Sequence, residues 1–139
     1  MLTQYGVVPV RRAPDGGVEV LLITSRDTGR WVVPRGNPIS GKSPAESAAQ
    51  EAFEEAGIIG PVEPREIGNY SYEKRRRLGM TELAVVHLFR MEVAEERDEW
   101  PEKGQRERRW FPAGEAAAAV HEAELARIIL CSSRDSSHK

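Results

Sequence analysis

The sequence predicts one domain built as a mixed β-sheet with helices packed on it. Three observations point there. Short apolar runs dominate the first two-thirds of the chain, one capped alanine-rich helix interrupts them, and two further helical pieces follow. At 139 residues the chain can bury one core but not two. The domain is expected over residues 1–131, with the polar end SSRDSSHK, residues 132–139, as a frayed tail.

In chain order, YGVVPV and VEVLLIT are two strands separated by RRAPDGG, whose proline, aspartate and paired glycines signal a turn. RWVVP is a short strand closed by Pro34. After the helix, REIGNYSYEK and TELAVVHLFRMEV are strands joined by the basic tip KRRRLG. The loop EWPEKGQRE leads to a short strand RRWF, then to helical pieces AGEAAAAV and HEAELARIIL.

Charge and composition remove several function classes. Twenty Lys and Arg against 22 Asp and Glu give a net charge of −2, which argues against a globally basic nucleic-acid binder but permits local patches. No apolar run approaches the roughly 20 residues of a membrane span, so no membrane partner is expected. The start MLTQYGVVPVRR lacks a signal-peptide pattern, and the single Cys131 cannot form an intramolecular disulfide; both fit a cytoplasmic protein. Cys131 reads as a small, partly buried helix residue rather than a nucleophile.

The densest chemistry lies in PRGNPISGKSPAESAAQEAFEEAGI, residues 34–58. Residues 43–46, SPAE, form a capping box with proline at the first helical position, and Gly57 supplies the left-handed stop. Ala45, Ala48, Ala49, Ala52, Phe53 and Ala56 recur at helical spacing as an apolar stripe that lets the helix sit close to a sheet. Glu51, Glu54 and Glu55 fall at i, i+3 and i+4, on the side opposite the stripe. An ordinary solvated acidic face has the same spacing. Yet like charges on one turn repel, and the helix C-terminus disfavours negative charge. A cation between them resolves the conflict: hard carboxylate oxygens at this density suit Mg²⁺, with Mn²⁺ as the alternative. The implied chemistry is metal-assisted hydrolysis of a phosphorylated substrate, with a carboxylate deprotonating water.

This stretch resembles the signature of the Nudix hydrolases, G-x5-E-x7-R-E-U-x-E-E-x-G-U, where U is a bulky apolar residue. Gly36, Glu51, Glu54, Glu55, Gly57 and Ile58 stand in register with it. Lys42 replaces the first glutamate, Gln50 the arginine, and Ala52 is smaller than usual. The resemblance implies an α/β/α sandwich around a central mixed sheet and cleavage of a diphosphate linkage. It makes Glu51 and Glu55 metal ligands and Glu54 a further ligand or the base. It also implies that the arginine replaced by Gln50 orients a carboxylate, and that the glutamate replaced by Lys42 lies outside the innermost metal shell.

Within the family, residues 18–130 look like the diphosphoinositol and diadenosine polyphosphate phosphohydrolases. The likeness rests on EVLLITSRDTGRWVVP, which contains Ser25, on YEKRRRLG, and on EWPEKGQRERRWF. It makes Lys74, Arg75, Arg76, Arg77 and Arg106 candidates for gripping polyphosphate, with Ser25 and Gly36 as further substrate contacts. Where that branch has lysine and arginine on its first strand, this chain has Thr3 and Gln4. A glutamate outside the signature, Glu102 or else Glu99, is expected to complete the metal shell.

The remaining candidates read as structural. A charge run such as EKRRR is more often a solvated hairpin tip unless it borders a phosphate site. Trp31 and Trp110 are expected in the core, with Trp100 at the border of the site. His87 and His121 have no zinc-site spacing. The functional expectation is a Mg²⁺-dependent pyrophosphohydrolase of a highly phosphorylated small molecule. The rival is a Nudix fold that binds nucleotide or polyphosphate without turnover, as Lys42 and Gln50 suggest.

Overall fold

The computed structural model describes residues 1–135. Its elements, in order, are β1 (Leu2–Arg12), β2 (Val18–Thr24), β3 (Trp31–Val32), β4 (Arg35–Gly36), α1 (Pro44–Ala56), β5 (Ile58–Ile59), β6 (Val62–Arg75), β7 (Thr81–Glu92), β8 (Glu95–Glu96), β9 (Arg108–Pro112), α2 (Ala113–Ala119) and α3 (Ala123–Asp135). RWVVP carries the short strand β3, which ends before Pro34 as expected; the two-residue β4 that follows and a small β5–β8 pairing were not visible in the sequence.

β1 is central. It runs parallel to β7, from Leu2 opposite Ala84 to Val10 opposite Glu92, and every other pairing in the sheet is antiparallel, so the sheet is mixed as expected. On its other edge β1 pairs with β2 through Val10, Arg11 and Arg12, but with β4 through Tyr5 and Gly6. β2 likewise reaches β3 at its far end. The two strands therefore diverge, and the segment carrying β3 and β4 fills the fork. Pro9, which has no N–H for a ladder, falls between the two pairings.

Strand alternation divides the core between two faces. Val7, Leu21, Ile23, Phe89 and Met91 pack with Ala48, Ala52 and Ala56 of α1. Val8, Val20, Leu22, Val86 and Leu88 pack on the other face with Ala116, Ala117, Leu125 and Ile129 of α2 and α3. This is an α/β/α sandwich. Adjacent residues of one strand serve opposite layers, which is why GVVPV and VLLIT read as continuous apolar runs. Phe53 is only partly buried, whereas Ser47 is fully buried and accepts from Ile39 N at 3.0 Å.

The expected frayed tail is corrected in part: α3 continues through Asp135 with Ser132 buried, and residues 136–139 lie outside the described residues. Cys131 is exposed on α3 rather than partly buried.

Candidate active site

The site is organised by the ends of α1. At its start, Ser43 Oγ accepts from Glu46 N (3.1 Å) while Glu46 Oε1 accepts from Ser43 N (2.9 Å). At its end, Gly57 (φ 69°, ψ 28°) donates to Phe53 O at 2.9 Å. A Cβ on Gly57 would meet the Trp100 indole at 2.6 Å, so the position needs glycine for its conformation and for its contact.

The last turn of α1 contains no basic residue, so the helix itself does nothing to offset its three glutamates. The compensation comes from the segment 97–108. Arg108 Nη1 donates to Ala56 O at 2.7 Å and Nη2 to Arg97 O at 2.8 Å. Trp100 Nε1 donates to Glu55 O at 3.3 Å, and Glu102 N to Glu54 O at 3.0 Å. The Arg108 guanidinium lies 4.1 Å from the Trp100 ring centre. A cation and two neutral N–H donors thus close the negative end of the helix.

Glu51 and Glu55 meet the β4 segment, while Glu54 bonds within the helix. Glu55 is nearly buried: Oε1 accepts from Arg35 N at 3.2 Å, and Oε2 lies 3.4 Å from Arg106. Glu51 lies against Gly36, where a Cβ would come within 2.2 Å of its carboxylate carbon; a bare backbone is what admits this carboxylate. Glu54 accepts from Gln50 Nε2 at 2.7 Å. Gln50 therefore holds a carboxylate, as the resemblance implies for the arginine it replaces.

Burial, then the neighbouring Glu55, Glu54 and Glu102, push the Glu51 carboxyl up to about 7. Burial also raises Glu55 to about 7, against the opposing pull of Arg106 and the Arg35 N–H. Burial is the first cause of both shifts, and at Glu51 the neighbouring carboxylates add to it. Among the described residues no three carboxylates are gathered closely enough to enclose an ion as they stand. Instead Arg106 bonds Glu102 Oε1 (3.1 Å) and Thr24 O (3.3 Å) beside Glu55. The donor set nonetheless fits a divalent cation: hard oxygens, raised proton affinity, and a glycine making room.

These groups border a cavity of about 1290 Å³. Of the residues singled out in the sequence, Ser25, Gly36, Glu51, Glu55, Lys74, Arg75, Glu102 and Arg106 line it. Glu54, Arg76 and Arg77 do not. Arg76 and Arg77 border a second groove at the hairpin tip, where Arg76 pairs with Glu82 at 3.0 Å. Arg106 lines the cavity while paired with Glu55 and Glu102. Glu99 pairs with Lys103 at 2.9 Å and lies outside the cavity wall, as does the exposed Lys42. Trp100 is not at the border of the cavity but beneath the end of α1.

Sequence reasoning missed Arg35. Its guanidinium donates to Tyr70 Oη at 3.1 Å and lies 4.0 Å from the Tyr72 ring centre, with no carboxylate ion pair among the described residues. Burial pushes the Tyr70 phenol up to about 12, so the group beside Arg35 is a neutral hydroxyl. Tyr72 Oη in turn donates to Gln4 Oε1 at 2.8 Å. Gln4 thus lines the cavity where a basic residue was expected, and the cation comes from Arg35 instead. The available signal was a basic residue next to Gly36 in the loop before the helix.

Comparison with known proteins agrees with this architecture. A family model for the NUDIX domain matches residues 3–130. "Nudix hydrolase 21, chloroplastic" from Arabidopsis thaliana is 34% identical over 114 residues, covering 80% of this chain and 56% of the relative. "Diphosphoinositol polyphosphate phosphohydrolase 3-beta" from Bos taurus is 32% identical over 101 residues, covering 70% and 57%. The chain spans about half the length of the curated relatives it matches. Two solved structures share the fold: a C. elegans Ap4A hydrolase binary complex (TM-score 0.72, 18% identity, 100% of both chains), and the NUDIX domain of Shewanella oneidensis NrtR with ADP ribose (TM-score 0.69, 15% identity, 98% of this chain and 88% of that one). With the carboxylate-bearing helix, its glycine-lined loop and the α/β/α sandwich around them, the chain belongs to the Nudix family.

Proposed function

We propose that this chain is a divalent-cation-dependent pyrophosphohydrolase, using Mg²⁺ or Mn²⁺, that cleaves a diphosphate linkage in a phosphorylated small molecule. The observation that carries the reading is that Glu51, Glu55 and Glu102 line one large cavity together with Arg35, Lys74 and Arg75. Acidic oxygens for a cation and guanidinium groups for phosphate stand side by side there. A pure phosphate binder gains nothing from the carboxylates.

Glu51, Glu55 and Glu102 would hold the cation, which when bound neutralises phosphate oxygens and favours a nucleophilic water. A carboxylate of the helix, Glu54 or Glu51, would take the proton of that water: the water oxygen forms a bond to phosphorus, its proton passes to the carboxylate, and the bridging P–O bond breaks with its electron pair staying on the leaving phosphate. Glu54 adds its charge to Glu51 from behind, held by Gln50. Lys74, Arg75 and Arg35 would orient the phosphate chain, with Ser25 also lining the cavity.

The substrate classes are those of the relatives' names, diphosphoinositol polyphosphates and diadenosine polyphosphates, with nucleoside triphosphates and nucleotide sugars as rivals. Phosphate release from a panel of these four classes, with and without Mg²⁺, tests the reading. Turnover of at least one class that requires the metal is expected. Tight binding with no turnover of any class would instead make the chain a polyphosphate-binding domain.

A further inference from the structure

The tip of the β6–β7 hairpin departs from good turn chemistry without any gain in burial. Arg77 O accepts from Met80 N at 3.2 Å, so Leu78 and Gly79 are the central residues of a tight turn, with φ of 61° and 75°. Turns of this hand favour Asn-Gly or Asp-Gly, because a branched, bulky side chain resists the left-handed region. Leu78 is the only non-glycine residue with positive φ among the described residues. It is also 95% exposed, and Met80 is 65% exposed. Neither the turn nor the core accounts for a leucine at this position.

Leu78 and Met80 border a small groove with Arg75, Arg76 and Arg77. Of these five, only Arg75 also faces the large cavity, so the tip is separate from the candidate active site. We propose that it is a docking surface for an anionic phospholipid bilayer. Leu78 and Met80 enter the headgroup region while Arg76 and Arg77 meet lipid phosphates.

Size and charge choose this occupant. Two exposed apolar side chains at a hairpin tip offer far less than the roughly 1,000 Å² a specific protein partner needs. A bilayer needs only a few inserted apolar groups flanked by basic ones, and guanidinium groups pair well with phosphate. Glu82 offsets part of the Arg76 charge and leaves Arg77 outside any ion pair among the described residues. The contact is peripheral, since no helix among the described residues is long and apolar enough to cross a membrane.

The test is co-sedimentation of the full chain with phosphatidylcholine vesicles, with and without phosphatidylserine, for the parent and a Leu78→Asn/Met80→Ser variant. Asparagine suits the left-handed position better than leucine, so the variant is expected to melt at or above the parent's temperature. The parent should bind only the phosphatidylserine vesicles, less so in high salt, and the variant roughly tenfold or more weakly. Absence of parent binding, equal binding to both vesicle types, or equal binding by the variant would overturn the proposal. Concentration-dependent dimerisation lost in the variant, without vesicle binding, would assign the tip to a second copy of the chain.

Discussion

Arg106 and Glu55 form an ion pair at 3.4 Å in which only 10% and 12% of the two side chains are exposed. The same guanidinium lies 3.1 Å from Glu102, so one arginine neutralises two of the carboxylates proposed to hold a cation. In the metal-free chain Arg106 does part of a metal's work.

Arg106→Ala is therefore expected to destabilise the metal-free protein by roughly 3 kcal/mol, because it leaves buried carboxylates uncompensated. Saturating Mg²⁺ should recover much of the loss. Chemical denaturation with and without Mg²⁺ measures both. An unchanged metal-free transition would mean the pair contributes nothing to the fold.

Glu51 and Glu55, raised to about 7 from the ordinary 4.5, link stability to pH. Between those values the folded chain holds more protons than the unfolded chain, so their effect on stability falls as pH rises. The loss is absent below about 4.5 and complete above about 7. Melting with Mg²⁺ should therefore show a larger metal-induced gain at about pH 8 than at about pH 5.5. An equal gain at both would remove these carboxylates as the ligands.

The basic residues of the hairpin divide by position. Arg75→Ala and Arg35→Ala are each expected to raise KM for a polyphosphate substrate by about tenfold, as a charge-assisted contact is lost. Arg76→Ala and Arg77→Ala should leave KM within about twofold, since neither borders the cavity. Equal effects from all four would mean the tip folds over the substrate.

Lys42 stands outside the signature's usual chemistry and outside the cavity. The sequence allows its long side chain to reach the carboxylates, although its backbone lies roughly 13 Å before that of Glu51 along the helix. With Lys42 exposed and absent from the cavity wall, Lys42→Glu is expected to leave the Mg²⁺ midpoint of hydrolysis unchanged. A shift to lower Mg²⁺ would show that its charge is felt at the metal.

Arg108 is a positioning residue, acting through the end of α1. Arg108→Ala should weaken Mg²⁺ binding, read by calorimetry, by about tenfold, as loss of a supporting contact commonly does. Arg108→Lys should restore only part, since one ammonium cannot bond both Ala56 O and Arg97 O while stacking on Trp100.

Periodicity made α1 legible almost to the residue, because its start and stop signals are local: a capping box within four residues and one glycine. The long strands were legible for the same reason. The fork between β1 and β2 was not, since two-residue strands carry no periodicity and form only where distant chain segments meet. At the site, spacing identified Glu51, Glu54 and Glu55 but not their partners. Only packing separates Glu55, clamped by Arg35 N and Arg106, from Glu54, turned toward Gln50. Arg35 was invisible because its role depends on Tyr70 and Tyr72, some 35 residues away.

The closure of α1 by Trp100, Glu102 N and Arg108 has a consequence for biosynthesis. A chain emerging N-terminus first completes its glutamate helix long before these partners leave the ribosome, so three like charges face an open helix end in the interim. β1 waits equally for β7, its parallel neighbour about 80 residues on. Nascent chains arrested before residue 108 should therefore carry a helix that is protease-sensitive at its glutamate end, and that protection should arrive in one step as Arg108 emerges.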